Sequence, residues 1–201
     1  MLQYYKRKKK RGASMKNDLS AYRWHRNGIT LRPQTNADWV HFFNNYFDSE
    51  RRFNFYSEAE GPECERSAEE RFATFLAKSR EKGNMDLAAE DAEGNVVGSL
   101  DLYAVDKRHG TFQIAVAVCD GHTGKGYAKT MMSILLDYCF GELRLNKLNA
   151  RVMEGNEASK RLHLSLGCKE EGVHREMYFH GGRYIDEYFY GLTKADWEQR
   201  K

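Results

Sequence analysis

Proline, cysteine and long apolar runs are all scarce in this chain of 201 residues, which has 2 prolines and 4 cysteines. The richest apolar stretch, Met131 to Leu136, is interrupted by a serine, and it is far shorter than the ~20 apolar residues that a membrane-spanning helix needs. No charged-then-apolar segment typical of a secretion signal opens the chain. We therefore expect neither membrane insertion nor secretion, and a cytoplasmic location.

The cysteines are too widely spaced for a paired-thiol metal site or a redox pair. A chain of this length buries enough core to fold without disulfides or a structural metal, so we expect reduced, mostly packed thiols and no bound metal. With 41% hydrophobic and 13% aromatic residues, the composition excludes disorder and predicts one soluble domain. The cysteines are Cys64, Cys119, Cys139 and Cys168.

The formal net charge of +3 is unevenly distributed. Segment 6–11 holds six basic residues and no acid, and without them the formal net charge falls from +3 to −3. Two interpretations of residues 1–14 stay open: a basic tail that binds nucleic acid or anionic lipid, or a start assigned upstream of a true one at Met15. We favour the second, leave the segment out of the fold, and do not expect nucleic acid as a partner.

Apolar periodicity predicts the elements of the first half of the domain. Gly28 to Arg32 is typical of a strand, and Asn36 is expected to cap a helix. Residues 50–66 are irregular and charged, which predicts a loop, and a capping box of Ser67 with Glu70 predicts the start of a second helix. The first helix is expected to bury Trp39, Val40, Phe43, Tyr46 and Phe47, and the second Phe72, Phe75 and Leu76.

The second half begins with period-two alternation, which predicts an antiparallel meander of strands 85–90, 96–105 and 111–118. A glycine-rich turn then leads into a helix, followed by a strand over 147–152, a helix over 157–166 and a hairpin of strands 173–179 and 184–192. The order β α α β β β α β α β β predicts an α/β fold with a mixed, largely antiparallel central sheet flanked by helices. We divide the chain into a basic leader (1–14), a polar lead-in (15–27), a single domain (28–192) and a C-terminal tail (193–201).

The turn from Gly121 to Gly126 lies where a strand passes into a helix, and this junction favours an anion site. The N–H groups of a first helical turn have no partner within the helix, and glycines let a phosphate approach them. The spacing differs from a nucleotide P-loop, which needs four residues between its glycines, and from a dinucleotide fingerprint, which needs a small residue where Lys129 stands. A simple turn is the alternative.

Several short motifs together resemble the GNAT superfamily of acyl-CoA-dependent N-acetyltransferases. They are the turn Thr123-Gly124-Lys125-Gly126-Tyr127-Ala128, then Asn156-Glu157-Ala158-Ser159, then Leu162-His163-Leu164-Ser165-Leu166-Gly167. With Gly182-Arg183-Tyr184-Ile185-Asp186 added, the chain looks most like the branch of ribosomal-protein N-terminal and spermidine acetyltransferases. The resemblance covers about residues 28–192 and implies acetyl-CoA as the cosubstrate and a primary amine as the acceptor.

The resemblance also implies a cofactor-binding set. The turn that Thr123 opens would hold the diphosphate on the amides of Gly124, Lys125, Gly126, Tyr127 and Ala128. The main chain from Val116 to Val118 would pair with pantetheine and polarise the thioester carbonyl. Asn156 matches an asparagine beside pantetheine in the family, while the alternative role of this residue is the N-cap of the next helix.

Three positions depart from the family pattern. Thr123 stands where arginine or glutamine is usual, so one side-chain contact is shortened. His163 stands where many members carry a tyrosine acid; an imidazolium can donate a proton near neutral pH, and a structural role is the alternative. Gln113 stands where glutamate is common, and an amide cannot act as a base. Asp101, Glu50, Glu58 or a water chain could replace it, and the sequence does not choose among them.

The acceptor is the least constrained part of the prediction. The carboxylates of the 50–66 loop suit a cationic amine such as a polyamine or a peptide N-terminus, and a solvated surface loop is the alternative. The changes at Gln113 and His163 also leave open a catalytically silent acyl-CoA-binding module. The final hairpin could form the edge of a homodimer.

Overall fold

A computed structural model describes residues 19–43, 48–56 and 61–200. The strands are β1 (His25–Arg26), β2 (Ile29–Pro33), β3 (Met85–Glu90), β4 (Val96–Asp106), β5 (Thr111–Val118), β6 (Lys147–Met153), β7 (Lys169–His180) and β8 (Arg183–Thr193). The helices are α1 (Trp39–Phe43), preceded by a 3-10 turn at Asn36–Asp38, α2 (Ser49–Tyr56), α3 (Glu65–Glu81), α4 (Tyr127–Gly141), α5 (Glu157–Leu166) and α6 (Lys194–Glu198).

One eight-stranded sheet organises these elements in the order β1-β2-β3-β4-β5-β6-β8-β7. Neighbouring strands run antiparallel except β5 and β6, which are parallel. The predicted α/β class, with a mixed and largely antiparallel sheet flanked by helices, is confirmed. Most of the strands and the last two predicted helices begin and end within a few residues of the limits expected from their patterns.

The main core lies between the sheet and α4. Apolar residues recur at helical spacing along α4: Met131, Met132, Leu135 and Cys139 are buried, and Ala128 is half-buried. The buried residues pack against Leu100, Phe112, Leu148 and other apolar side chains of β4, β5 and β6. The helix lies so close to β4 that a side chain at Gly98 would meet both the Ala117 carbonyl oxygen and the Met131 side chain, which explains a glycine inside a buried strand.

The opposite face of the sheet carries the polar residues. Because directly paired residues share a face, the registers Asp101↔Ala115, Thr111↔Lys147 and Met153↔Glu187 can be followed across four strands. They place Asp101, Ala115, Arg151 and Glu187 on the same side, away from α4. Phe42 of α1 packs over this side, against Ala88 and Cys119.

A gap opens in the middle of the sheet. Among the described residues, β5 and β6 pair only at Thr111↔Lys147 and Phe112↔Leu148. In contrast, β4 stays paired with β5 as far as Val118, and β6 with β8 as far as Met153. The two halves of the sheet therefore diverge toward the ends of β5 and β6, and main-chain groups of β5 along the gap are left without a neighbouring strand.

Two predictions about helix starts are wrong. Thr35, not Asn36, is the N-cap of the first helical turn, because the Thr35 N–H and Oγ1–H both donate to the Asp38 carboxylate at 2.7 and 3.1 Å. The expected apolar positions Tyr46 and Phe47 lie outside the described residues. The second start is also earlier than expected: α3 begins at Glu65 with Cys64 as its N-cap.

The predicted capping box of Ser67 and Glu70 does not form, because both side chains have other partners. The Ser67 hydroxyl donates to the Cys64 carbonyl oxygen at 2.9 Å, and Glu70 accepts from Arg66 at 2.9 Å. The predicted inner face of this helix is only partly right: Leu76 is buried, Phe72 is half-buried and Phe75 is 42% exposed.

The 50–66 segment is not a continuous loop, since it contains most of α2. Phe53 of α2 is buried against Met153 and Ile185, and its ring stacks on His180 at 3.8 Å between centroids. Arg51 of the same helix forms an ion pair with Asp120 at 2.6 Å. The helix therefore bridges the glycine turn and the terminal hairpin.

Elements outside the predicted 28–192 limits also pack on the sheet. Trp24, just before β1, and Trp197 of α6 both join the main core. Arg26 Nη2 and Trp197 Nε1 donate to the two oxygens of Asp137 on α4, at 2.6 and 2.8 Å. Among the described residues, no helix combines the length and the apolar character needed to cross a membrane.

Candidate active site

A cleft of about 770 Å³ lies over the gap in the sheet. Its walls come from the polar face of β4, β5 and β6, from the glycine turn, and from α2, α3 and α5. Three buried side-chain atoms among the described residues lack a hydrogen-bond partner, and the residues that carry them all line this cleft. The atoms are Gln34 Oε1, His122 Nδ1 and His163 Nε2.

The glycine turn presents free main-chain donors to one end of the cleft. The first bond within α4 runs from the Thr130 N–H to the Gly126 carbonyl oxygen at 3.1 Å, so the N–H groups of 127–129 have no acceptor within the helix. Gly124 and Gly126 have φ values of +78° and +77°, and nothing lies within 4 Å of a Cβ built on either. Free donors beside open space are what a diphosphate site requires, so the geometry is compatible with the predicted site.

Most of the predicted cofactor-binding residues meet at this end. Val116, Val118, Thr123, Gly124, Gly126, Tyr127, Ala128 and Asn156 all line the cleft. Lys125 does not; its side chain is exposed, with Nζ 6.0 Å from the centre of the Tyr127 ring. Lys129, which the sequence argument used only to exclude a dinucleotide fingerprint, lines the cleft. The binding roles of these residues stay predictions.

Asn156 has the capping position that was its alternative role. Its Oδ1 accepts from the Ser159 N–H at 3.1 Å at the start of α5. The same residue lines the cleft, so capping and a place beside pantetheine are compatible. Because the capping bond fixes Oδ1, it also fixes the orientation of the Asn156 amide nitrogen.

His163 is buried in the cleft wall and stacks on Tyr190. Its Nδ1 lies 2.8 Å from the Ser159 carbonyl oxygen; a carbonyl can only accept, so Nδ1 carries the proton and Nε2 presents a lone pair. Burial lowers the pKa of His163 below its ordinary value, which favours neutral imidazole. This geometry supplies a proton acceptor at Nε2, whereas the predicted acid requires a proton there.

Asp101 is the buried carboxylate of the cleft that has no cation beside it among the described residues. Gln34 Nε2 donates to its Oδ1 at 3.1 Å. Burial, together with the charge of Asp86 directly across the strand pair, raises the pKa of Asp101 to about 8. A carboxylate with a pKa near neutrality is suited to accept a proton during a reaction.

The other proposed bases are less well placed. Gln113 does not line the cleft. Glu50 does not line it either and pairs with His180 at 3.0 Å, while Glu58 lies outside the described residues. Of the candidates named from the sequence, Asp101 is the one that the structure puts in the cleft.

Two cleft residues, Gln34 and Glu187, were missed by sequence reasoning. Glu187 is buried and accepts from the Tyr178 hydroxyl at 3.1 Å, with Arg151 Nη1 at 3.5 Å. Its position in the final hairpin gave no signal, because the register between parallel β5 and β6 that brings it to this face cannot be derived from sequence alternation. Gln34 directly follows Pro33 at a strand end, and sequence reasoning assigned it no role.

The four cysteines are free thiols, and three of them are buried, as predicted. Burial raises the pKa of Cys119 to about 11, which suits packing rather than nucleophilic attack. Within the described ranges, no three His, Cys, Asp or Glu side chains cluster to hold a metal ion.

Comparison with known proteins agrees with this arrangement. A family model described as an acetyltransferase (GNAT) domain matches residues 29–169. The prophage-derived, uncharacterized N-acetyltransferase YokL of Bacillus subtilis is 36% identical over 124 residues, which is 62% of this chain and 70% of that protein. The spermidine N(1)-acetyltransferase of Vibrio cholerae is 28% identical over 158 residues, 79% of this chain and 88% of that protein.

The fold resembles that of solved acetyltransferases. A crystal structure of spermidine N-acetyltransferase from Vibrio cholerae in complex with CoA and spermine has a TM-score of 0.73 at 23% identity, covering 86% of this chain and 99% of that one. A dodecameric structure of the Vibrio cholerae enzyme has a TM-score of 0.69 at 26% identity, covering 88% and 99%. Nothing in these comparisons supports the silent acyl-CoA-binding alternative. Because the family model spans most of the chain, this protein belongs to the GNAT acetyltransferase family and is an acetyl-CoA-dependent N-acetyltransferase.

Proposed function

We propose that the acceptor is a small aliphatic amine of the polyamine type, bound with its reacting ammonium group at Asp101. One observation carries the proposal: Asp101 is a buried carboxylate in the cleft and has no cation beside it among the described residues. Ionising a buried carboxylate that has no cationic partner is costly, and the pKa of Asp101 is accordingly raised to about 8. A bound ammonium group supplies that partner, so the cleft should bind cationic amines more tightly than neutral ligands.

Three of the basic residues that line the cleft have carboxylate partners other than Asp101. Arg51 pairs with Asp120, Arg71 with Glu63 at 2.9 Å, and Arg151 with Glu187. The same ion pairs change the prediction of an acidic loop: Glu63 and Glu50 have basic partners, and Glu58 and Glu60 lie outside the described residues. The cationic preference is therefore assigned to the floor of the cleft rather than to the loop.

Two of the similar proteins are spermidine acetyltransferases, which supports a polyamine acceptor, while YdaF of Bacillus subtilis is named a putative ribosomal N-acetyltransferase. The Vibrio cholerae relative is a spermidine N(1)-acetyltransferase, and the similar solved structure holds CoA and spermine. A peptide N-terminus, the other acceptor class considered from the sequence, also carries an ammonium group. Asp101 by itself therefore does not distinguish a peptide from a polyamine. The two classes differ in what must pass α2 and α3, since a peptide brings side chains and a polyamine brings only methylenes and nitrogens.

The proton balance assigns a role to Asp101. The ammonium group transfers one proton to the Asp101 carboxylate, which leaves a neutral amine whose lone pair attacks the thioester carbonyl. The new C–N bond forms and the C–S bond breaks, and the second amine proton leaves with the thiolate to give the free thiol. The proton on Asp101 returns to solvent. We assign a part in the second transfer to His163 Nε2, a buried atom without a hydrogen-bond partner on a residue that lines the cleft.

We also propose a cytoplasmic location and self-association of the chain. The reaction takes place in the cytoplasm, where the four free thiols fit a reducing compartment. The chain self-associates, as the dodecameric relative does, through the terminal hairpin, where Val173, Met177, Phe179 and Tyr184 are large apolar side chains left exposed. Light scattering of the purified protein measures its assembly.

An acceptor panel tests the proposal. Thiol release from acetyl-CoA is followed with spermidine, with n-butylamine and with a short peptide bearing a free N-terminus. We expect spermidine to give the highest kcat/KM, and Asp101→Asn to lower it at least ~100-fold while the acetyl-CoA Kd changes less than about twofold. A higher kcat/KM for the peptide would contradict the polyamine assignment, and an active Asp101→Asn enzyme would remove Asp101 from the proton transfer.

A further inference from the structure

Gln34 is a buried amide at the floor of the cleft, immediately after β2. Its side chain lines the cleft, yet the residue is only 3% exposed. Its backbone N–H donates to the Asp86 carbonyl oxygen at 2.9 Å, which fixes the main chain beside β3. A glutamine amide has two N–H donors and one acceptor oxygen, and when it is buried both its nitrogen and its oxygen need hydrogen-bond partners.

The orientation of the Gln34 amide is set by its neighbours. Nε2 lies 3.1 Å from the Leu87 carbonyl oxygen and 3.1 Å from Asp101 Oδ1. A carbonyl oxygen accepts and cannot donate, so the group facing Leu87 must be the NH₂ group. Turning the amide over would set two oxygens against each other. The acceptor Oε1 is therefore forced to point elsewhere.

That acceptor has no partner among the described residues, although it is buried. Leaving a buried acceptor unsatisfied costs about 1–3 kcal/mol, and a hydrophobic residue of similar length would avoid the cost. Gln34 lines the cleft, and its Nε2 already donates a hydrogen bond to the Asp101 carboxylate. The Gln34 amide thus brings two acceptors near each other: its own neutral Oε1 and the Asp101 carboxylate, to which its Nε2 donates.

We infer that Gln34 and Asp101 form a subsite for a primary ammonium group, in which Gln34 Oε1 and the Asp101 carboxylate each accept one N–H of the acceptor. This inference rests on the proposed function and extends it from one residue to a paired site. After one proton has moved to Asp101, the neutral primary amine still has an N–H to donate to Oε1. That remaining bond orients the nitrogen lone pair, so Gln34 is a specificity-determining and positioning residue.

Gln34 also acts on Asp101 itself. The bond from Nε2 stabilises the charged carboxylate and opposes burial and the charge of Asp86, which both raise the pKa of Asp101. Arg80 lies near Asp86, and its Nη2 is 3.5 Å from the Gln34 carbonyl oxygen. The cleft residues Arg51 and Arg71 are each ion-paired. The other charged residues that line the cleft are Arg52, Lys129, Arg151, Arg161 and Glu187. Removing the Gln34 amide therefore leaves Asp101 harder to ionise.

Gln34→Met tests this inference, because methionine keeps the length of the side chain and removes both polar atoms. Gln113→Met is the matched control: Gln113 is a partly buried glutamine of the same sheet that does not line the cleft. We expect Gln34→Met to raise the acceptor KM about 10-fold or more, which is the order expected when a buried hydrogen bond to substrate is lost, and to leave the acetyl-CoA Kd unchanged.

The pH profile separates positioning from a structural role. In Gln34→Met the acidic limb of kcat/KM moves to higher pH, and the carboxyl carbon of Asp101, followed by ¹³C NMR without acceptor, titrates at higher pH than in the wild type. Gln113→Met moves neither. A melting temperature lowered with both titrations unchanged would overturn the inference and assign Gln34 to stability alone.

Failure of the proposed function gives a different result. If the wild type acetylates none of spermidine, n-butylamine or the peptide, the acceptor assignment falls, and an NMR titration of Asp101 that is equally unmoved by Gln34→Met overturns the pairing as well. If the wild type is active and Gln34→Met has wild-type KM and pH limb, the inference falls and the proposed function stands.

Discussion

Asp101 and Glu187 show how two acids on one face of a sheet come to differ. Both are buried and both line the cleft. Glu187 has Arg151 and the Tyr178 hydroxyl beside it, while Asp101 has an amide donor and, across the strand pair, a second carboxylate. Burial without a neighbouring cation favours the neutral form of Asp101.

The rate of the reaction is therefore expected to depend on pH. Asp101 must be ionised to accept a proton, so kcat/KM for the amine should rise with pH through an apparent pKa near 8. On the alkaline side it falls as the free amine loses its own proton, at a pKa of about 10. A bell-shaped profile of initial rates checks this, and a profile that is flat from pH 6 to 9 would count against Asp101.

Stability should depend on pH in the opposite sense. The native state holds the Asp101 proton up to about pH 8, whereas the unfolded chain loses it near the ordinary value of 3.8. Unfolding thus releases a proton between these values, and stability falls as pH rises through that window. Asp101→Asn removes the effect, so calorimetry at pH 8 should show a melting temperature raised by about 2–4 °C for each kcal/mol regained, with little difference from wild type at pH 4.

His163→Phe probes the other buried side chain of the cleft wall. Phenylalanine retains the ring that stacks on Tyr190 and removes the lone pair at Nε2. We expect kcat to fall about 10-fold or more with the acetyl-CoA Kd unchanged, because the lost atom acts on protons rather than on phosphate. Steady-state kinetics and a binding titration measure the two quantities, and equal kinetics would give His163 a packing role only.

Sequence reasoning reached the acceptor site only in part, and the reason lies in single residues. Asp101 was one of four candidates for the base because its strand was assigned correctly. Glu187 and Gln34 were missed, since placing them beside Asp101 requires the register of a parallel strand pair and the path of the chain after Pro33. Neither is encoded in local periodicity.

At the level of elements, the glycine turn is where sequence reasoning succeeded. Three glycines with positive φ, at 121, 124 and 126, shape a loop that ends at the first turn of α4. The pattern is local, and the strand and helix on either side are strongly periodic. The turn, the helix and the free main-chain donors could therefore be predicted together from one continuous stretch of chain.

Gly126→Asp tests this turn. An added carboxylate would stand among the free donors of the helix end and repel the diphosphate, so acetyl-CoA binding should be lost in a calorimetric titration. Gly181→Asp is a matched control, because Gly181 also has a positive φ and nothing within 4 Å of its Cβ, but it lies in the β7–β8 turn. Similar affinities in both variants would refute the assignment of the turn.

Helix α2 is where sequence reasoning failed. Its eight residues include charged side chains that made the segment look irregular, and its burial depends on one aromatic ring against the hairpin. Such a short helix is marginal in isolation and owes its stability to tertiary contacts. Contacts with β6 and β8, more than 90 residues further along the chain, could not be inferred from the segment itself.

Across the whole molecule, the order of elements was predictable apart from β1, α2 and α6, and the closure of the domain was not. Residues before 28 and after 192 were assigned to a lead-in and a tail, yet Trp24 and Trp197 belong to the main core. Both ends meet at Asp137, in the middle of α4. A tryptophan among polar neighbours gives no period, so only its long-range partner reveals that it is buried.

Trp197→Ala should therefore destabilise the entire domain. Removing a buried tryptophan costs about 3–5 kcal/mol, which in a chain of this size lowers the melting temperature by roughly 6–20 °C. Leu164→Ala is the control, since Leu164 is exposed and its loss should have little effect. Differential scanning calorimetry of both variants decides whether α6 is part of the folding unit.

The gap between β5 and β6 separates two kinds of evolutionary constraint. Main-chain N–H and carbonyl groups are the same in every residue except proline, so most substitutions along this gap keep the groups that we predict to face the acetyl donor. The proposed acceptor site depends instead on the side chains of Gln34 and Asp101, where a single substitution can alter what is bound. A duplicated copy of such a gene would keep its donor and exchange its acceptor, which allows one scaffold to diversify into many amine specificities.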